Sequence, residues 1–110
     1  MNYIELFDAI EFHDGVICDL IIKCNKESQA KLLLELYVGN TSVREKKEIK
    51  FQNINNVNVN LDMNELSDNH SAGNISYGYI KEHEIKGRYK FFIYFTDGMI
   101  YFDFEKVSVT

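Results

Sequence analysis

Hydrophobic and polar residues alternate along most of this chain, and a repeat of two residues is typical of β-strands. The clearest example is the stretch 88–105, in which two alternating runs flank the pair Asp97-Gly98. Both residue types tolerate the positive φ angles of a type I′ turn, so this stretch predicts a β-hairpin with a two-residue loop. The predicted pairs on its apolar side are Phe95 with Ile100, Ile93 with Phe102, and Phe91 with Phe104. The predicted pairs on its other side are Tyr94 with Tyr101, Phe92 with Asp103, and Lys90 with Glu105.

Similar alternation predicts further strands upstream, which brings the total to about seven. The last strand of the hairpin is expected to continue to Val109. The segment 43–51 mixes lysine and glutamate with Ile49 and Phe51, a composition that predicts a strand at the edge of a sheet. The upstream strands are predicted at residues 16–25, 30–38, 43–51, 57–61 and 74–84.

Two short helical segments are predicted outside the strands. Residues 1–12 have apolar residues at helical spacing and Asn2 as a candidate N-cap, which favours a short amphipathic helix, with a strand as the alternative. Asp62 and Glu65 resemble a capping box, so one helical turn is expected through Leu66.

The order of these elements predicts a mainly β (α+β) fold. Sequential strands joined by short polar turns usually pair as antiparallel neighbours. We therefore expect a twisted sheet or a small sandwich, and the length of 110 residues predicts a single domain, 1–110.

The first predicted hairpin contains an unfavourable pair of charges. A five-residue loop between its strands would place Asp19 opposite Glu35, and like charges at opposed positions are destabilising. Either the register differs by two residues, or these carboxylates bind a cation that comes from outside the chain.

The amino-acid composition indicates which classes of molecule this protein is expected to bind. The formal net charge is −5, and the basic run at 44–50 is interrupted by Glu45 and Glu48, so we expect no binding to nucleic acid. Aromatic residues make up 14% of the chain and apolar residues 45%, which argues against disorder. An acidic chain rich in tyrosine and phenylalanine suits contact with a basic protein.

The two cysteines predict a reducing environment. Cys18 and Cys24 lie six positions apart in one predicted strand, roughly 20 Å at about 3.3 Å per residue, so they cannot form a disulfide with each other. Their positions on the apolar side predict two reduced core residues, as in the bacterial cytoplasm. The sequence shows no signal peptide and no apolar run of membrane-spanning length, so we expect a cytoplasmic protein without membrane contact.

Candidate catalytic and metal-binding residues are few. His13-Asp14 is the one adjacent acid and base pair, but Cys18 is the nearest nucleophile and is expected in the core, so a turn is the better interpretation. His70 and His83 have no partner at metal-ligand spacing. We therefore predict no enzymatic activity, no cofactor and no metal.

The candidate partner-binding residues are tyrosines and carboxylates on the predicted outward faces. Aromatic side chains ringed by acidic residues suit an interface with a basic partner. The predicted contact residues are Asp19, Glu35, Tyr77, Tyr79, Glu82, Glu84, Tyr94, Tyr101, Asp103 and Glu105.

The stretch Phe-His-Asp-Gly-Val-Ile at 12–17, the stretch Phe-Gln-Asn-Ile-Asn-Asn-Val at 51–57 and the Asp97-Gly98 hairpin resemble one family. This family is the small β-rich immunity proteins of bacterial contact-dependent growth inhibition and other polymorphic toxin systems. The resemblance implies a protein that binds a cognate toxin C-terminal domain, often a basic nuclease such as a ribonuclease, and neutralises it by covering its active site. It implies no catalytic residues.

Two other functions remain open at this stage. A structural or oligomerising β domain would pair its apolar outer faces with copies of itself and form a homodimer without any toxin. A small hydrolase would use His13 and Asp14 and would need a pocket around the imidazole.

Overall fold

The chain folds into two four-stranded antiparallel sheets that pack face to face. The computed structural model describes residues 2–38, 42–68 and 74–110, without the side chains of residues 67 and 68, and His70 lies outside these ranges. This architecture confirms the predicted mainly β fold. In spatial order, sheet A contains β1 (Val16–Lys23), β2 (Gln29–Tyr37), β3 (Arg44–Gln52) and β8 (Lys106–Val109). Sheet B contains β4 (Asn55–Leu61), β7 (Gly98–Phe104), β6 (Tyr89–Phe95) and β5 (Ile75–Glu82).

Both predicted helices are present, and each begins at the predicted cap. In α1 (Tyr3–Asp8) the side chain of Asn2 accepts a hydrogen bond from the backbone N–H of Glu5 at 2.8 Å. In α2 (Met63–Asp68) Asp62 accepts the corresponding bond from Glu65 at 3.0 Å. No helix in the described ranges has the length and apolar character needed to cross a membrane.

Phe51 on β3 forms the centre of the core between the sheets. Its ring lies 4.7 Å from that of Phe102 and 4.8 Å from that of Phe91, both on sheet B, and Phe7 from α1 packs against the same cluster. Burial of a phenylalanine side chain contributes about 1.5–3 kcal/mol. Because the side chain of Phe51, from sheet A, contacts both sheet B and α1, the two sheets stabilise each other.

The hairpin β6–β7 has the predicted faces but not the predicted register. Phe95 pairs with Gly98 and Ile93 with Ile100, so the strands are offset by two residues from the predicted pairing. The loop is Thr96-Asp97, and Asp97 does not have positive φ. Gly98 is required for another reason, since a Cβ atom there would collide with the backbone carbonyl oxygen of Asn60 on β4.

Two predictions about strand neighbours were wrong. The last strand does not continue to Val109, because the chain leaves sheet B after Phe104 and β8 joins sheet A. At this crossing the N–H of Glu105 donates to the carbonyl oxygen of Gln52 at 3.1 Å. Since β8 pairs with residues 49–52 of β3, this part of β3 is interior and not at the edge of the sheet, contrary to the prediction.

A β-bulge in β1 overturns the predicted core position of the cysteines. Ile17 pairs with Leu34 and Asp19 with Leu33, so Cys18 has no opposed residue and is exposed. Cys24 follows the end of β1 and is also exposed.

The register of this first hairpin confirms the first of the two alternatives for its acidic pair. From Asp19 to Lys23 the pairing is offset by two residues from the five-residue-loop register, and Asp19 and Glu35 are not opposed.

Candidate binding surface

Five aromatic side chains cover the outer side of sheet B. A bulge at Ser76 shifts the phase of β5, so that Ile75 and Ile80 are both buried while the two tyrosines between them point outward. The pairing then places Tyr79, Phe92 and Tyr101 side by side across three strands. We call this surface the aromatic face, which consists of Tyr77, Tyr79, Phe92, Tyr94 and Tyr101.

The rings of the aromatic face form a continuous set of contacts. Tyr77 stacks on Tyr94 with 4.7 Å between ring centroids, Tyr79 on Phe92 at 4.9 Å, and Phe92 contacts Tyr101 at 4.8 Å. Tyr77 is 53% exposed and Tyr79 is 37% exposed, so the rings contact one another while part of each remains open to solvent. Exposed aromatic surface of this kind is typical of interaction sites.

The aromatic face is held on a rigid support. Phe92, Tyr94 and Tyr101 lie on β6 and β7, the two interior strands of sheet B. On the inner side of β5, the ring of Phe12 lies only 3.1 Å from where a Cβ atom of Gly78 would be. A surface that is already ordered loses little conformational entropy when a partner binds.

Asp103 lies on the same side of sheet B as the aromatic face but is buried. It shares the outer side of β7 with Tyr101, as predicted, but it is only 1% exposed. Arg88 donates to its carboxylate from Nε at 3.0 Å and also from Nη2, and Asn56 Nδ2 donates at 2.9 Å. Because the carboxylate is enclosed by its own partners, Asp103 offers almost no surface to a protein partner, contrary to the expected outward exposure.

His83 completes this buried polar cluster. Its Nδ1 accepts a hydrogen bond from the N–H of Ile85 at 2.9 Å, which places the ring proton on Nε2. Nε2 lies 3.8 Å from the carboxylate of Asp103. Arg88 was not among the predicted site residues, because an arginine before a strand has many other uses and gives only a weak signal as a partner of Asp103.

Glu84 is also neutralised by a neighbour. Lys90 Nζ donates to its carboxylate at 2.7 Å, and this bond holds the pKa of Glu84 below its usual range and raises the pKa of Lys90. Glu105 lies 4.0 Å from Arg88, while Glu82 is exposed. The carboxylates predicted around the tyrosines therefore supply less free negative charge than their number suggests.

Asp19 and Glu35 lie on sheet A, away from the aromatic face. Burial and the nearby carboxylate of Glu35 raise the pKa of the Cys18 thiol, which disfavours a reactive thiolate. The structure thus brings Tyr77, Tyr79, Tyr94 and Tyr101 together but divides the predicted acidic residues between two sheets.

Negative charge borders the aromatic face along β5. The first 15 residues contain four carboxylates and no lysine or arginine, and α1 from this segment packs against β5. The N–H of Asp14 donates to the carbonyl oxygen of Ile75, and that of Thr96, next to Asp97, donates to Asn74, both at 3.0 Å. The exposed residues Asp14 and Asp97 thus lie near the Tyr77 end of the surface.

The cations lie at the opposite end of the same surface. Lys81 Nζ is 5.4 Å from the centre of the Phe92 ring, a cation–π contact, and Lys90 follows on β6. A partner would therefore meet aromatic rings with acidic residues on one side, and with Lys81 and the Lys90–Glu84 ion pair on the other.

His13 and Asp14 form an exposed turn. Their side chains are 3.4 Å apart, and Nδ1 of His13 lies 3.1 Å from the carbonyl oxygen of Ser76. Both side chains are more than half exposed, and no described residue encloses the imidazole. Within the described ranges, no three His, Cys, Asp or Glu side chains are grouped as ligands for a metal ion.

Comparison of the chain with protein-family models, with curated proteins and with solved structures finds no match.

Proposed function

We propose that this protein is an immunity protein that binds a cognate bacterial toxin domain through the aromatic face and neutralises it by covering the active site. The observation that carries the proposal is the set of five contacting, partly exposed rings on one sheet. The resemblance of the sequence to toxin-system immunity proteins supports the kind of partner. The protein would act by stoichiometric binding in the bacterial cytoplasm.

The aromatic rings would provide most of the affinity. Tyrosine supplies a large contact area at low entropic cost, and buried aromatic residues dominate many interfaces. The acidic border near β5 would steer a basic domain, such as a nuclease, towards the surface. The buried Asp103 would maintain the shape of sheet B without contacting the toxin.

The test uses the toxin domain encoded beside this protein. Mixing the two should give a one-to-one complex in which toxin activity is lost. We expect Tyr77→Ala and Tyr94→Ala each to weaken binding by about thirtyfold, which corresponds to about 2 kcal/mol for a central aromatic contact. Titration calorimetry at two salt concentrations measures this.

Tyr37→Ala is the matched control, because Tyr37 is a partly exposed tyrosine on sheet A whose ring stacks with Arg44. It should leave affinity unchanged. The proposal fails if no complex forms at low salt, or if Tyr37→Ala weakens binding as much as Tyr77→Ala does.

Self-association is the second candidate, and one feature of β4 favours it. This edge strand has no charged residue, and Val57 and Val59 are 39% and 42% exposed. An uncharged exposed edge can pair with another strand. Sedimentation without toxin should show a dimer that Val59→Lys converts to a monomer if this candidate is correct, and a monomer at all concentrations if it is not.

A further inference from the structure

Four lysines lie on four adjacent strands of sheet A, on its outer side. Lys31 on β2 is directly opposite Lys50 on β3. In the next row of outward-facing residues, two positions further along the strands, Lys23 on β1 pairs with Gln29 and Lys106 on β8 pairs with Gln52. We call this set the lysine cluster, which consists of Lys23, Lys31, Lys50 and Lys106.

Protection of a sheet edge explains only half of the lysine cluster. Lysines often discourage pairing at edge strands, and Lys23 and Lys106 lie on the edge strands β1 and β8. Lys31 and Lys50, however, lie on the interior strands β2 and β3. Like charges at opposed positions destabilise a sheet, so the pairing of Lys31 with Lys50 works against folding. The arrangement would be favourable with an anion between these side chains.

One carboxylate compensates only part of this charge. Glu48 lies 3.5 Å from Lys50 and 4.0 Å from Lys31. Within the described part of the chain, Lys23 and Lys106 make no ion pair. Positive charge therefore remains in excess on this surface, although the protein as a whole has a formal charge of −5.

A cavity of about 210 Å³ opens among these residues. Three lysines and two glutamines contribute to its lining, so ammonium and amide N–H groups are available as donors. The polar lining residues are Lys23, Lys31, Lys50, Gln29 and Gln52.

We propose that the lysine cluster binds a compact ligand with two linked phosphate groups. Lysine ammonium groups bind phosphate as point charges. The outer strands β1 and β8 are roughly 14 Å apart at about 4.8 Å between neighbouring strands, so one phosphate cannot reach all four lysines. A diphosphate can occupy the cavity with one group and approach Lys106 with the other.

Inorganic pyrophosphate is the probe for this proposal. Calorimetry at constant ionic strength should show saturable one-to-one binding, and the thermal midpoint of unfolding should rise with pyrophosphate. The double variant Lys31→Gln/Lys50→Gln should bind at least about tenfold more weakly, because it loses charge-assisted contacts. Without ligand its stability should stay close to that of the parent protein, because the loss of the opposed like charges offsets the loss of the two exposed ion pairs with Glu48.

Lys46→Gln/Lys47→Gln is the matched control, since it makes the same change in charge on β3, the strand of Lys50, but outside the cavity. It should retain binding. Equal weakening of pyrophosphate binding in both double variants would overturn the proposal. The absence of pyrophosphate binding at constant ionic strength would overturn it as well. A third contrary result is that a single-stranded oligonucleotide displaces pyrophosphate at a much lower concentration than pyrophosphate itself needs. The lysine cluster would then bind a nucleic-acid backbone and not a diphosphate. These outcomes do not depend on the toxin, because the aromatic face lies on the other sheet.

Discussion

The side chain of Asp103 shows how burial changes the role of a single residue. Alternation along β7 places it correctly on the outer side with Tyr101, but its environment depends on Arg88 and Asn56, which lie on other segments. A strand pattern gives the direction of a side chain and not what covers it. For this reason the tyrosines of the candidate surface could be predicted from sequence, whereas the burial of Asp103 could not.

We expect Asp103→Ala to destabilise the protein by about 3 kcal/mol, because it leaves the Arg88 guanidinium partly buried without its carboxylate. Urea unfolding at pH 7 measures this loss. Glu105→Gln is the control, since Glu105 is exposed and 4.0 Å from Arg88, and it should change stability by less than about 1 kcal/mol. Equal losses would mean that the buried pair has no special structural role.

At the scale of elements, the sequence predicted strands, faces and helix caps but not all neighbours. Alternation and capping depend on residues close in sequence, and these predictions were confirmed for α1, α2 and the β6–β7 hairpin. The place of β3 inside sheet A depends on β8, which begins more than fifty residues later. Bulges such as that at Cys18 also reverse the phase of a strand without a sequence signal that alternation can detect.

Gly98 allows β4 to approach β7 closely, because it pairs with Leu61 and has no Cβ atom. We expect Gly98→Ala to destabilise the protein by at least about 2 kcal/mol, since the new methyl group would collide with the Asn60 carbonyl oxygen and lie close to Leu61. Amide hydrogen exchange should also become faster in β4.

Thr96→Ala is the control for Gly98→Ala, because Thr96 is an exposed residue of the same turn. It should change stability by no more than about 0.5 kcal/mol. If Gly98→Ala were equally mild, β4 would not approach Gly98 as closely as the structure shows.

At the scale of the whole molecule, the sandwich separates two surfaces of different chemistry. The aromatic face covers sheet B, and the lysine cluster lies on the outer side of sheet A. The inner sides of both sheets meet at Phe51, whose ring contacts Phe91, Phe102 and Phe104. Because the surfaces share this core, neither sheet is expected to remain folded when the other unfolds.

We therefore expect Phe51→Ala to destabilise both sheets together, by about 3–5 kcal/mol, as is usual when a large core side chain is removed. Hydrogen exchange should report similar reductions in opening free energy for β2 in sheet A and β6 in sheet B. Ile85→Ala, at a residue that is 60% exposed, should change stability by no more than about 0.5 kcal/mol. If β2 lost protection in Phe51→Ala while β6 kept it, the sheets would be separate folding units. The aromatic face could then bind a partner without an intact sheet A.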